Sequence, residues 1–419
     1  STGFLFFFTL SATTCNSSCP GATSFKPTSH HLTVVHGGRV FAPEALGLCD
    51  VLLAGGKILS VVPGGYSSEM ISMFAGLNAT IVDAQGLAVT PGLVDVHEHL
   101  QGGGGENGFA SRTPSARLSQ LIDAGVTTAV GIMGTDSVGR TLETLLATAR
   151  GLSEYGLTVL MWSGAYKVPP PTLTGSLQRD VILIDEVIGV GEVAISDHRS
   201  SWPTLEEIKR IVSDVRVAGM LAGKAGVAHF HVGKAPEMID LLWNVSRTTT
   251  IPKSNMYPTH MNERGPALFE QGLAWMAEGG MMDLTADSDD DTLASDGLDL
   301  IKSKGLPLSG VSVSSDAYGS LPDFDEHGRL IGYGVASPDA LLKTLRRLVH
   351  KLGWTLQDAL QPFTSSPATF LKLHSKGAVS AGADADLLLL DESSLDVKYV
   401  WAGGNMLKNL TWTQHGMFE

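Results

Sequence analysis

Eight short apolar runs, separated by stretches of helical pattern, constrain this chain more than any other feature. They cover residues 93–96, 127–133, 158–163, 193–196, 228–232, 256–259, 281–285 and 311–314. Helical periodicity fills 114–124, 140–155, 204–218 and 267–278 between them. Runs this short and this rich in Val, Ile and Leu suit strands covered on both faces, and the intervening lengths suit crossover helices. Eight such repeats within 91–374 predict an α/β fold, a (β/α)8 TIM barrel whose active site lies at the C-terminal strand ends.

The flanks have a different texture. Residues 31–90 break into short β-like pieces punctuated by Gly37-Gly38, Gly55-Gly56 and Gly64-Gly65. Residues 375–419 look the same, with Leu387-Leu388-Leu389-Leu390 and a second run at 397–401. Neither end can bury much alone, so both are expected to join in one small β-sandwich domain. Residues 1–30 read as an N-terminal extension whose run Phe4-Leu5-Phe6-Phe7-Phe8 resembles the apolar core of a signal peptide.

Composition narrows the function. A net charge of −14 with no basic stripe argues against a nucleic-acid partner. No apolar run approaches the ~20 residues of a membrane span. Cys15, Cys19 and Cys49 make neither a disulfide framework nor a structural zinc site. Asn-x-Ser/Thr sequons at Asn16, Asn78, Asn244 and Asn409 leave the compartment open between cytoplasm and secretion.

Chemistry gathers at the strand ends. Alternate residues of a strand share a face, so His97 and His99, closing the first run, can point at one metal ion. Glu192 stands at the fourth strand, His231 ends the fifth, His260 the sixth and Asp316 the eighth. Four imidazoles and two carboxylates suit two divalent ions, zinc first. His198, His229 and His327 have no part in this scheme.

With these residues in view the chain resembles the amidohydrolase superfamily, which shares His-x-His after Pro91-Gly92-Leu93-Val94-Asp95, later single histidines and a final aspartate. More narrowly it looks like an isoaspartyl (β-aspartyl) dipeptidase. The blocks that carry this are Gly102 to Gly105 with Glu106, Gly134-Thr135-Asp136-Ser137 and Gly164-Ala165-Tyr166. Ala194-Ile195-Ser196-Asp197-His198-Arg199, Ser315-Asp316 with Gly319-Ser320, and Leu360 to Ser366 complete them. The likeness runs from about His31 to the C-terminus. One position departs: where the family carries a carboxylated lysine, this chain has Glu192, with an extra residue before it in Val190-Gly191-Glu192.

The resemblance implies hydrolysis of the isopeptide bond of β-aspartyl dipeptides by a metal-bridging hydroxide. Asp316 would shuttle the proton and Tyr166 would donate to the developing oxyanion. Glu106 would hold the substrate ammonium, while Arg199, Arg264, Ser320 and Thr135 would read its carboxylates; Glu263 competes with Arg264 for one of those places. The expected partners are a dipeptide substrate and further copies of the chain in a homo-oligomer. Alternatives are another amidohydrolase reaction, such as N-acyl amino acid deacylation or cyclic-amide opening, and an inactive scaffold.

Overall fold

The computed structural model describes residues 32–287, 293–324 and 330–419. The expected extension over 1–30, with Cys15 and Cys19, and His327 lie outside them. The chain opens with five strands, β1 (Thr33–Phe41), β2 (Ala45–Ala54), β3 (Lys57–Pro63), β4 (Thr80–Asp83) and β5 (Leu87–Pro91), with helix α1 (Ser68–Gly76) before β4.

Eight strands follow at the expected places. They are β6 (Leu93–Glu98), β7 (Val126–Gly131), β8 (Thr158–Ser163), β9 (Val187–Ile195), β10 (Val227–Val232), β11 (Met256–Thr259), β12 (Met282–Thr285) and β13 (Val311–Ser314). Parallel ladders join β6 through β11 into one curled sheet, and β12 pairs with β13. The Met261 amide donates to the Asp283 carbonyl (3.3 Å) on one side of that pair, and the His99 amide to the Ala317 carbonyl (2.8 Å) on the other. The ring is a (β/α)8 barrel.

Helices α2 (Leu118–Asp123), α3 (Leu142–Ser153), α4 (Leu177–Leu183), α5 (Leu205–Ala222), α6 (Asp240–Thr248), α7 (Pro266–Ala277), α8 (Ala294–Ser303) and α9 (Ala340–His350) cover it. The limits of α5 show how sequence sets an element. Thr204 accepts from the Glu207 amide while the Glu207 carboxylate accepts from the Thr204 amide, a capping box. Ile208, Ile211, Val212 and Val215 form its buried stripe, and Gly223 ends it at φ +69°. By contrast α2 is shorter than the expected 114–124, since its first residues instead line the loop above β6; the Ala116 amide donates to the Leu100 carbonyl.

A hairpin of β14 (Ser320–Phe324) and β15 (Leu330–Val335) follows β13. The chain then returns to the first domain through β16 (Leu387–Asp391), β17 (Val397–Ala402), β18 (Asn405–Asn409) and β19 (Trp412–Thr413). One nine-stranded, mostly antiparallel sheet results, ordered β19-β18-β17-β16-β5-β1-β2-β3 with β4 beside β1. It builds the small β-sandwich domain from both chain ends. The four consecutive leucines of β16 are explained by two-sided burial: Leu388 and Leu390 join the barrel's apolar cluster, while Leu387 and Leu389 join the sandwich's.

Candidate metal centre and active-site pocket

Glu192 sits where strand β9 is irregular. Along β10 the partners run Ala228 to Val190 and then Phe230 to Val193, so Gly191 and Glu192 together oppose His229. This bulge absorbs the extra residue seen in the sequence, and a bulge re-aims the side chain it carries. Here it turns Glu192 into the barrel mouth, 1% exposed.

The Glu192 carboxylate stands between two pairs of histidines. Oε1 lies 3.6 Å from His97 Nε2 and 3.7 Å from His99 Nε2. Oε2 lies 3.1 Å from His231 Nδ1 and 3.7 Å from His260 Nε2. Asp316 Oδ1 closes the group at 3.1 Å from His99 Nε2 and 3.4 Å from His97 Nε2. Three overlapping triads have ligand atoms within 4.8 Å of one another: His97, His260 and Asp316; His97, His99 and Glu192; Glu192, His231 and His260. All six expected ligand positions therefore converge.

This cluster fits a divalent cation. His97 Nε2, Glu192 Oε1 and Asp316 Oδ1 are buried without a hydrogen-bond partner among the described residues, a costly state for polar atoms unless an ion satisfies them. The histidines are also held by their far nitrogens. His231 Nε2 donates to Asp197 Oδ2 (3.0 Å), and His260 Nδ1 pairs with the Thr285 hydroxyl (2.7 Å). Such tethers orient a ligating imidazole and fix which nitrogen is left for the ion.

Electrostatics points the same way. Burial opposes ionisation of Glu192, but His97, His231 and His260 hold its carboxyl well below the usual range. Burial also opposes charge on His97, yet Glu192 and Asp316 push its imidazolium up to about 9; a cation would feel the same attraction. Asp316, despite burial, is held low by His99 and His97. Burial first, then Glu192, raises the Tyr166 phenol well above its ordinary value, so it stays a donor.

Above the cluster opens a cavity of about 920 Å3. Tyr166 reaches in with its hydroxyl 2.8 Å from His231 Nδ1. The glycine-rich loop passes at one side, with Gly102 and Gly104 at φ +80° and +69°; a Cβ on either would meet a backbone carbonyl within 2.5 Å. Arg140, donating to the carbonyls of Gln101, Gly103 and Thr113, holds that loop. Glu106 follows it and accepts from Thr135 Oγ1 (3.0 Å) and Arg199 (3.4 Å). Arg264 and Glu263 both line the cavity, paired at 3.0 Å, so the structure brings both competitors to it. Ser320 also lines it.

Sequence reasoning passed over Asp197. Its carboxylate accepts twice from Arg199 (3.0 and 3.1 Å) as well as from His231, so it ties a cavity arginine to the histidine beside Glu192. Its place in the Ile195-Ser196-Asp197-His198-Arg199 block was the available signal. His198 lines the cavity but is 88% exposed and outside the cluster. Lys224 does not take the place of the family's lysine: its ammonium donates to the carbonyls of Val181, Ile184 and Val187.

Barrel, strand-end imidazoles and a shared carboxylate define a class, and the sequence comparison names it. The chain belongs to the amidohydrolase family, whose profile matches residues 88–407. Within it, the chain is similar to the β-aspartyl dipeptidase of the thermophilic keratin-degrading Fervidobacterium islandicum AW-1, in a crystal structure with a β-Asp-Leu dipeptide. Identity is 43%, the TM-score is 0.86, and the match covers 93% of this chain and 100% of that one. A second structure of that organism's β-aspartyl dipeptidase matches at 41% identity and TM-score 0.85, with the same coverage. An imidazolonepropionase of Anaeromyxobacter sp. (strain K) is 27% identical over 338 residues, 74% of this chain and 77% of its own. A D-hydantoinase structure shares the fold at TM-score 0.62 and 15% identity, covering 90% of this chain and 95% of that one.

Proposed function

We propose that this protein is a metal-dependent dipeptidase that hydrolyses the isopeptide bond of β-aspartyl dipeptides. The observation that carries the reading is a buried metal-ligand cluster opening into the same cavity as Glu106, Tyr166 and Arg199. The whole-length likeness to a β-aspartyl dipeptidase bound to β-Asp-Leu supports the substrate class.

His97, His99, His231, His260 and Asp316 would hold two divalent ions, most simply zinc, with Glu192 shared between them. When bound, the ions supply positive charge that acidifies water and polarises the scissile carbonyl. Asp316, at the edge of the cluster and 18% exposed, takes a proton from the attacking water and delivers it to the leaving amine. Tyr166 donates its hydroxyl hydrogen to the developing oxyanion. Glu106 accepts from the substrate's α-ammonium, a group the family's runner-up substrates, N-acyl amino acids and hydantoins, lack. Arg199 has two edges engaged by Asp197 and Glu106, so its remaining N–H groups, with Arg264 and Ser320, face the carboxylates, while Thr135, expected among these donors, spends its one hydroxyl hydrogen on Glu106.

Two further readings belong to this proposal. The chain divides into a sandwich of 31–90 with 375–419 and a barrel of 91–374, supported by the separate apolar clusters of each. It assembles with copies of itself; Leu183 on α4 and Met220 and Leu221 on α5 form exposed apolar surface that would suit it. No helix among the described residues is long and apolar enough to cross a membrane.

The test is β-Asp-Leu turnover measured beside elemental metal analysis, with N-acetyl amino acids and hydantoins as competing substrates. Faster turnover of either competitor, or a metal content near zero, refutes the reading.

A further inference from the structure

Among the described residues, His229 is the one fully buried imidazole of the barrel mouth that the proposed chemistry leaves unused, and it is not inert packing. It lies on β10 two residues before His231, so both point inward. Trp162 stacks on it with ring centroids 5.1 Å apart and planes 19° apart, and Tyr257 covers another side at 4.7 Å. Gly191 opposes it across the bulge, where a Cβ would come within 2.8 Å of the His229 Cβ. The slot is therefore shaped for a ring in one orientation.

Both of its nitrogens are committed. Nδ1 lies 3.0 Å from the Tyr257 carbonyl oxygen, which can only accept, so Nδ1 carries the hydrogen. In the neutral ring Nε2 is then a lone pair, and it lies 2.9 Å from His97 Nδ1. His97 must donate there, and in the neutral ring that a bound cation requires this places its own lone pair on Nε2. That atom is buried without a hydrogen-bond partner among the described residues, 3.6 Å from Glu192 Oε1 and 3.4 Å from Asp316 Oδ1.

We infer that His229 is a positioning residue. The relay from the Tyr257 carbonyl through His229 to His97 fixes the tautomer of His97 and presents its Nε2 to a divalent cation. Most ligating histidines are held by a carboxylate, carbonyl or water, and here a second imidazole does it. This inference rests on the metal-dependent reading above. The structure also corrects the expectation that His229 has no part in the site.

The test compares His229→Gln and His229→Asn in the zinc-loaded protein. A Gln amide can reach the Nε2 position and accept from His97, whereas Asn reproduces only the Nδ1 donor toward Tyr257. Zinc dissociation constants are read by competition with a chromophoric chelator, and thermal unfolding of each metal-stripped variant reports packing. His229→Asn is expected to weaken one zinc by about 10- to 100-fold, with His229→Gln recovering most of that loss. Nitrogen shifts of 15N-histidine should show His97 protonated at Nδ1 in the zinc-loaded parent. Two variants that bind zinc as tightly as the parent overturn the relay alone. Equal losses in both, tracking lower metal-free stability, reduce His229 to packing and also overturn it. A parent that binds no zinc overturns the functional reading and the relay with it.

Discussion

Several residues of the centre sit on turned backbone. Ser196, His260 and Asp316 have φ of +54°, +62° and +51°, a region that costs a non-glycine residue roughly 1 kcal/mol or more. The surrounding packing sustains these turns at the points where strands hand over to loops, and they aim side chains at the cavity. Because Asp316→Asn keeps that backbone and changes only the carboxylate, it should lower kcat by about 10²-fold or more; steady-state kinetics within a few-fold of the parent would remove Asp316 from proton transfer. Glu192→Ala should lose at least one metal by elemental analysis, since the Oε1 and Oε2 contacts to both histidine pairs vanish together. The parent's activity should not respond to added bicarbonate, because a glutamate needs no CO2 to become a carboxylate. Glu106→Gln should raise KM for β-Asp-Leu with metal content unchanged, and blocking the substrate's amino group should then cost the variant less than the parent. Five of the six converging positions were legible because they stand at or just past the end of an apolar run, whereas Glu192 lies inside β9, ahead of the run at 193–196, and was legible only from its distance to Arg199 in the block that follows. Asp197 and His229 were not assigned, because their partners are other side chains and spacing along one strand does not reveal them. Period-two alternation nonetheless put His229 on the same face as His231, and that was the signal to follow.

Among the elements, β12 depends on side chains as well as backbone. Asp283 is fully buried in the middle of it and accepts from Thr259 on β11 (2.7 Å) and from Ser314 on β13 (2.6 Å). Ser312 and the Tyr257 hydroxyl reach its other oxygen. One carboxylate thus links three strands where β11 and β12 share no regular ladder. Burial pushes Asp283 up to about 6 even though Ser312, Ser314 and Thr259 stabilise its charge. The sign is set by linkage: an acid raised above its unfolded value of about 3.9 binds protons more tightly when folded. Its contribution to stability is therefore full below pH ~4 and is lost as pH rises through about 6. Urea unfolding of the parent and of Asp283→Asn over this range should show a steeper decline in the parent, since Asp95, also pushed up to about 6 by burial, titrates in both; matching pH profiles would refute it. Asp283→Ala should destabilise at every pH by about 2–4 kcal/mol, since several buried hydroxyls lose their acceptor. Sequence pattern located β12 but not this link. Strand β9 was placed six residues late at its start, at 193 instead of 187, because Gly189 and Gly191 interrupt the apolar run.

Across the whole molecule, the barrel and sandwich share one partition. Ala88 and Val89 on β5, like the leucines of β16, face opposite ways into the two apolar clusters, and Val400 and Trp401 on β17 do the same. Sequence composition could see that the four leucines of β16 were apolar, but not that they answer to two cores at once. Leu388→Ala should cost about 2–5 kcal/mol through the barrel side, measured as a shift in the denaturant midpoint; a change under about 0.5 kcal/mol would mean that the barrel does not lean on this strand. The same partition imposes an order on synthesis. Strands β1 to β5 emerge from the ribosome before the barrel, but β5 has its antiparallel neighbour only when residues 387–391 appear, after every barrel strand has been made. Throughout that interval the free edge of β5 and the barrel flank that Leu388 and Leu390 cover lack their neighbour, so a nascent chain exposes apolar surface there until residues 387–391 are made, the kind of surface that makes an incomplete chain prone to aggregate.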